Sequence, residues 1–312
     1  MSFKQVLEIY ELLDHPQVNG DVITKYFQNK NINNVSYQTV HGEEGKTDFI
    51  RVFIPGTSGK SAGGIAPTLG IVGRLGGIGA RPEMIGFVSD GDGCAASLAA
   101  ALKLGDMAAK GDRLPGDVII STHVCPDAPT EPHFPVPFMG SPVDIKTMNE
   151  YEVDKEMDAI LSIDTTKGNR IINHKGIAIS PTVKEGYILK TSNDLVNIVE
   201  IVTGTSAHVF PLSVQDITPY GNGLYHLNSI LQPAVATDAP VVGVAITSGA
   251  AIPGCATGAS HMVDIELASR FSIEVAKAFG NGTCTFYDQE EFMLIQKLYG
   301  SLKHFQTLGE QS

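Results

Sequence analysis

SDGDGCAASLAAALKLGD, Ser89 to Asp106, places two carboxylates, Asp90 and Asp92, on a Gly-rich turn that opens a long Ala/Leu helix. Immediately upstream, Gly56 to Gly93 holds 12 glycines in 38 residues, interrupted by the apolar runs LGIV (69–72) and MIGFV (84–88). That composition reads as buried strand, tight backbone turn, then helix. An Asp in this position is an N-cap or a ligand fixed by the strand before it, and a second carboxylate is redundant for capping alone.

Outward from this stretch the strand and helix patterns alternate. Phe3, Val6, Leu7, Tyr10 and Leu13 recur at helical spacing, Asp21 suits the cap of a second helix, and VSYQTV (35–40) with DFIRVFI (48–54) flank a turn as a hairpin. VIIST (118–122), AILSID (159–164), GIAIS (176–180) and VVGVAIT (241–247) read as buried strands. Glu150–Asp158, SNDLVNIVEIVTG (192–204) and VDIELASRFSIEVAKAFG (263–280) read as helices. Residues 126–142 carry six prolines in seventeen positions and read as a stiff loop. The whole, 1–312, is expected to be a single α/β domain: three layers, α/β/α, with a mostly parallel mixed central sheet, a helical N-terminal segment at 1–30 and the Pro-rich loop at 126–142.

Composition excludes several classes. With 22 Lys plus Arg against 34 Asp plus Glu, the chain has a formal charge of −12 and no basic run, which argues against a nucleic-acid partner. Its most apolar stretch, 239–256, is broken by Pro240 and Pro253, so no membrane span is expected. Cys94, Cys125, Cys255 and Cys284 are far apart and form no CxxC, which fits a cytoplasmic protein. IPGTSGKS (54–61) has Ile54 where a phosphate loop needs its first glycine, and GGIGARPE (76–83) has Pro82 where a dinucleotide fingerprint needs its third.

The candidate site collects at the carboxyl ends of the strands, where open α/β sheets bind ligands. Asp90 follows one strand, His123, Cys125 and Asp127 follow the next, Asp164 ends a third, and His261 precedes the last long helix. Nitrogen and carboxylate donors in this mix suit zinc, manganese or cobalt. Arg74, ending GIVGR, suits anion binding through its planar fork. QDITPYGNGLYHLNS (215–229), with Asp216, Tyr220, Asn222, His226 and Asn228, reads as a hydrogen-bonded loop, and a thiol mechanism at Cys125 is set aside.

GRLGGIGARPE (73–83), SDGDG (89–93), GDVIISTHVCPDAP (116–129), MDAILSIDTTKGNR (157–170) and QDITPYGN (215–222) resemble the bacterial and archaeal domain-of-unknown-function family 1177. More distantly the chain resembles the co-catalytic zinc aminopeptidases, which implies a zinc-exopeptidase-like (phosphorylase/hydrolase-like) fold. By that resemblance Asp90 is similar to the bridging carboxylate, Asp164 to the third-strand ligand and His261 to the closing histidine. Arg74 stands where those enzymes carry their first histidine, and His123, Cys125 and Asp127 stand where they carry a glutamate pair. The expectation is a metal-dependent hydrolase of an amide or peptide-like bond in a small substrate. Zinc or manganese would be held by Asp90, His123, Asp164 and His261, with Asp127 as proton acceptor and Arg74 as anion-binding group. The alternative is a non-catalytic binding or structural protein on the same fold. A homo-oligomer is expected in either case.

Overall fold

The structure, a computed structural model, describes residues 1–309 apart from 44, 75–85, 127, 133, 135–136 and 253–257. The chain enters through α1 (Phe3–Asp14) and α2 (Gly20–Asn29). α1 buries Val6, Ile9 and Leu13, one stripe of the helical period. The cap of α2 is Asn19, whose side chain accepts from the Val22 N–H at 2.9 Å; Asp21, the expected cap, instead pairs with Lys25 one turn on. The hairpin follows as β1 (Val35–Gly42) and β2 (Gly45–Ile54).

Next come β3 (Leu69–Gly73), α3 (Asp92–Ala109) and β4 (Val118–Val124). The run at 84–88 forms no strand over its described part: Gly86 has φ +105°, and Ser89–Gly91 is a single 3-10 turn leading into α3. Inside the Pro-rich segment a two-residue ladder, β5 (Thr130–Glu131) with β6 (Phe138–Met139), forms where a wholly irregular loop is expected. α4 spans Ile145–Glu152, earlier than its expected 150–158, because Asp144 caps it by accepting from the Thr147 N–H at 2.7 Å.

β7 (Ala159–Thr165), β8 (Gly176–Ile179), β9 (Val183–Lys184) and β10 (Tyr187–Ile188) lead to α5 (Asn193–Thr203), with its Ser192 cap and its Gly204 stop at φ +72°. β11 (Val241–Thr247), α6 (Met262–Gly280) and α7 (Gln289–Tyr299) complete the chain. α7 has no counterpart in the sequence reading; only its Phe292 is buried, so its apolar period is weak.

Nine strands form one mixed sheet in the order β1-β2-β4-β3-β7-β11-β9-β10, with β8 also on β11. The centre, β4-β3-β7-β11, is parallel, and both flanks are antiparallel. Alternation along the strands separates two cores. Ile71, Ile120, Leu161 and Val244 face the layer of α1, α3 and α6; Val72, Ile119, Ile160 and Ala245 face Phe210, Ile217, Leu231 and Ala234. Burial on both faces is why β11 reads as an unbroken apolar run. Phe271 of α6 is wholly buried, and its truncation to Ala would cost about 3–5 kcal/mol. Among the described residues no helix is long and apolar enough to cross a membrane.

Candidate functional site

Sheet register puts three of the candidate residues in one row. Gly73 pairs with Thr122 of β4 and with Ile163 of β7, so the next row across the parallel centre is His123, Arg74, Asp164. The Arg74 N–H donates to the Ile163 carbonyl at 2.7 Å and carries the ladder one residue past β3. Residues level with one another in a parallel sheet point to the same face, and their strands lie about 4.8 Å apart. The row continues to Phe49 beyond His123 and to Ala245 beyond Asp164.

α4 lies over this row. The Glu152 carboxylate reaches both neighbours: Oε1 is 2.5 Å from His123 Nδ1, and Oε2 is 3.2 Å from Arg74 Nε. One turn earlier Asn149 accepts from Arg74 Nη2 and donates to the Gln232 carbonyl at 3.1 Å. Arg74 is 1% exposed, and its Nη1 has no hydrogen-bond partner among the described residues. Burial pulls the guanidinium pKa down, and the Glu152 and Asp164 carboxylates oppose that pull.

Asp164 accepts from the Thr165 N–H at 2.7 Å and from Ser229 Oγ at 3.0 Å. Burial still raises its pKa to about 6, against the lowering effect of those two bonds and of Arg74 and His123. Tyr220 is pushed up to about 12 by burial and by the Asp164 and Asp216 charges, with Ser229 opposing. Much of the remaining 215–229 segment is the expected hydrogen-bonded loop: Asp216 takes the Ser213 and Leu227 N–H groups, and His226 bonds the Thr218 carbonyl.

The 89–92 turn meets the same end of the sheet, held by Thr165 Oγ1 donating to the Ser89 carbonyl at 3.1 Å. Neither carboxylate there caps α3. Asp90 is 6% exposed and makes no hydrogen bond or ion pair with a described residue. Burial first, then the Asp164 and Asp92 charges, raise its pKa well above the carboxylate range, with Lys167 opposing. Asp92 is fully buried; Lys167 Nζ is 2.5 Å from one of its oxygens and Ser260 Oγ 2.5 Å from the other. Burial raises the Asp92 pKa, while Lys167 and Ser260 lower it.

His261 is not a member of the row, but its charge acts on Asp92 and Asp264. It occupies the N-cap position of α6 without a side-chain cap bond, is half-exposed, and its Nδ1 is 3.6 Å from Asp264. Asp127, and Arg81 in the sequence neighbourhood of Arg74, lie outside the described residues. Cys125 is buried with its Sγ 3.4 Å from Thr47 Oγ1, and burial pushes its thiol to about 12, which leaves it without a nucleophilic thiolate.

The expected metal does not fit this donor set. Among the described residues no three His, Cys, Asp or Glu side chains are grouped so as to hold an ion. Asp92 already carries an ammonium and a hydroxyl, and a guanidinium stands between His123 and Asp164. A metal cation placed beside a fixed Arg and a fixed Lys meets repulsion.

Glu152, Asn149, Lys167 and Ser229 complete the cluster and are absent from the sequence reading. Asp144 followed three residues later by Thr147 was the available signal for the earlier α4, which turns Asn149 and Glu152 toward the sheet. Nothing local marks Lys167 or Ser229.

A sequence search of curated proteins finds no match. Among solved structures the chain is similar to a glutaminyl cyclase from an Acidobacteriales bacterium, with TM-score 0.52 and 12% identity over 90% of this chain and 94% of that one. It is also similar to the cytosol aminopeptidase of Coxiella burnetii, with TM-score 0.51 and 12% identity over 87% of this chain and 68% of that one. For the Porphyromonas gingivalis glutaminyl cyclase the values are 0.50 and 10%, over 90% and 97%. These likenesses establish the fold. The model of the family described as "Protein of unknown function (DUF1177)" matches residues 38–309, and the chain belongs to that family.

Proposed function

We propose that this member of the DUF1177 family hydrolyses an amide or peptide-like bond in a small substrate that carries a carboxylate. The observation behind this reading is the Arg74 guanidinium, buried at the centre of the row with Nη1 unpartnered among the described residues. A buried donor without an acceptor costs about 1–3 kcal/mol, which an incoming carboxylate would relieve.

Beside that anchor stand two acids of unequal proton affinity. Asp164, at about 6, is ionised at neutral pH and accepts the proton of an attacking water; the Asp90 carboxyl, whose pKa burial raises well above its ordinary value, is placed as the proton donor to the leaving nitrogen. The water oxygen forms the new bond to the carbonyl carbon, the C–N bond breaks, and the two carboxyl groups exchange protonation states until solvent restores them. Ser229 and Thr165 fix the Asp164 carboxylate. These steps use no metal ion and place the proton acceptor at Asp164; Asp127, the acceptor expected from the sequence, lies outside the described residues.

The test is hydrolysis of N-acyl amino acids and dipeptides, each against its carboxyl-amidated form. Turnover of the free acids, lost about 100-fold or more in Asp90→Asn and Asp164→Asn, is the expected result. Arg74→Met should raise KM more than it lowers kcat, and only for the free acids. Saturable binding of the acids without turnover would leave the non-catalytic binding protein as the function. Equal turnover of acid and amide forms would remove Arg74 from the site.

A further inference from the structure

Lys167 is the least expected member of the cluster. It follows β7, is only 6% exposed, and has φ +49°, with Gly168 after it at φ +73°. A non-glycine side chain in the left-handed region is strained, and glycine would adopt that backbone freely. The lysine held there sends Nζ to Asp92 at 2.5 Å and to the Ala259 carbonyl at 2.8 Å. Its charge also acts on Asp90 and Asp264.

We infer that Lys167 is a built-in counter-cation: its ammonium neutralises the carboxylate cluster from one side as Arg74 does from the other, so the site takes anions and rejects divalent metal ions. Both oxygens of Asp92 are occupied, one by Lys167 and one by Ser260. Asp90 is the remaining buried carboxylate without a described partner, and a single such group does not hold an ion against two fixed positive charges. Removing the ammonium reverses the balance. Asp90, Asp92 and Asp164 then face Arg74 as their one remaining cation of the two, an oxygen-rich group with excess negative charge of the kind that prefers manganese or magnesium.

The inference concerns the same cluster as the proposed hydrolase but not its activity, so the readouts are metal content and thermal stability. The wild-type protein is incubated with excess Mn2+ or Zn2+, desalted, and measured by elemental mass spectrometry and thermal melting, beside Lys167→Gly. Wild type is expected to carry no stoichiometric metal and to show no shift in Tm. Lys167→Gly, whose backbone suits position 167, should melt lower and regain about 4 °C or more with Mn2+, retaining about one ion per chain.

Near-stoichiometric metal in the wild type overturns the inference, as does a folded Lys167→Gly that takes up none. If Lys167→Gly folds only when refolded with Mn2+, the inference stands. A double variant, Lys167→Met with Asp92→Asn, removes charge from both partners at similar volume and should fold and stay metal-free; metal uptake by it overturns the inference. Should Lys167→Gly fold under neither condition, the wild-type metal content alone decides.

Discussion

Glu152 and His123 lie 2.5 Å apart, carboxylate oxygen to ring Nδ1, with both side chains buried and the second carboxylate oxygen 3.2 Å from Arg74. One carboxylate thus serves two neighbours on adjacent strands. Breaking a buried pair costs more than the pair contributes, because the remaining charge loses its compensation. Glu152→Ala leaves the Arg74 side chain with Asn149 as its one hydrogen-bond partner among the described residues and with Asp164 as its remaining counter-charge, and should destabilise the protein by about 3–5 kcal/mol in urea unfolding at neutral pH. Glu152→Gln, which can still accept a hydrogen bond, should cost less. A loss under about 1 kcal/mol for the Ala variant would mean that Glu152 does not hold Arg74 in place.

The contrast between Glu152 and the row beneath it shows what sequence could reveal. Arg74, His123 and Asp164 each follow or end an apolar strand run, so their arrival at one end of a parallel sheet is readable from period and order. Their exact level is not, because it depends on pairings such as Gly73 with Thr122 and Ile163, set by residues far apart in the chain. Glu152 was missed for a local reason. A helix over 150–158 puts it in the first turn as a solvated charge, whereas the Asp144 cap makes it the last residue of α4. Lys167 and Ser229 come from loops whose paths follow from tertiary packing, with no periodicity to read. His261 lies in a turn before a long helix, where it looks like a ligand but caps nothing and faces solvent on one side.

Asp164 should leave a mark on the pH dependence of stability. Its pKa rises from 3.8 to about 6 on folding, so between those values the native state holds a proton that the unfolded chain has released. That contribution favours the fold below about pH 4 and is withdrawn as the pH climbs through about 6. Asp164→Asn cannot titrate. Its stability relative to wild type should therefore increase from pH 4 to pH 7, by up to about 3 kcal/mol. Guanidinium melts of both proteins at several pH values measure the difference. A flat difference would place the Asp164 pKa near its ordinary value and remove it as the base.

Gly93 tests how tightly the row is held. A Cβ there would come within 2.5 Å of the Arg74 carbonyl oxygen and 2.7 Å of the Ile163 carbonyl oxygen. Both are backbone atoms of the row or the position beside it, so no side chain can swing aside. Gly93→Ala should cost about 1–3 kcal/mol and displace α3 from the ends of β3 and β7. Hydrolytic turnover should fall with it, while the same substitution at Gly140, whose nearest neighbours lie 3.1 Å or more away, should leave turnover within a few-fold. Thermal melting separates lost stability from lost geometry. A Gly93→Ala protein with wild-type Tm and wild-type turnover would show that the row tolerates movement the structure does not permit.

The thiols provide a further chemical test. Burial pushes Cys94, Cys125 and Cys284 each to about 12, so at pH 8 roughly one part in ten thousand is thiolate, the form that reacts. The chain has four cysteines, and Cys255 lies outside the described residues. Native protein should therefore titrate with no more than one equivalent of a thiol reagent, and all four should react once it is unfolded. Cys125→Ser should retain turnover, because among the described residues its Sγ meets only a Thr47 hydroxyl at hydrogen-bonding distance and it has no part in the Arg74, Asp90 and Asp164 chemistry. Rapid labelling of Cys125 in the native state, together with an inactive Cys125→Ser protein, would transfer the nucleophile from water to sulfur. The carboxyl pair would then be left to position the thiol.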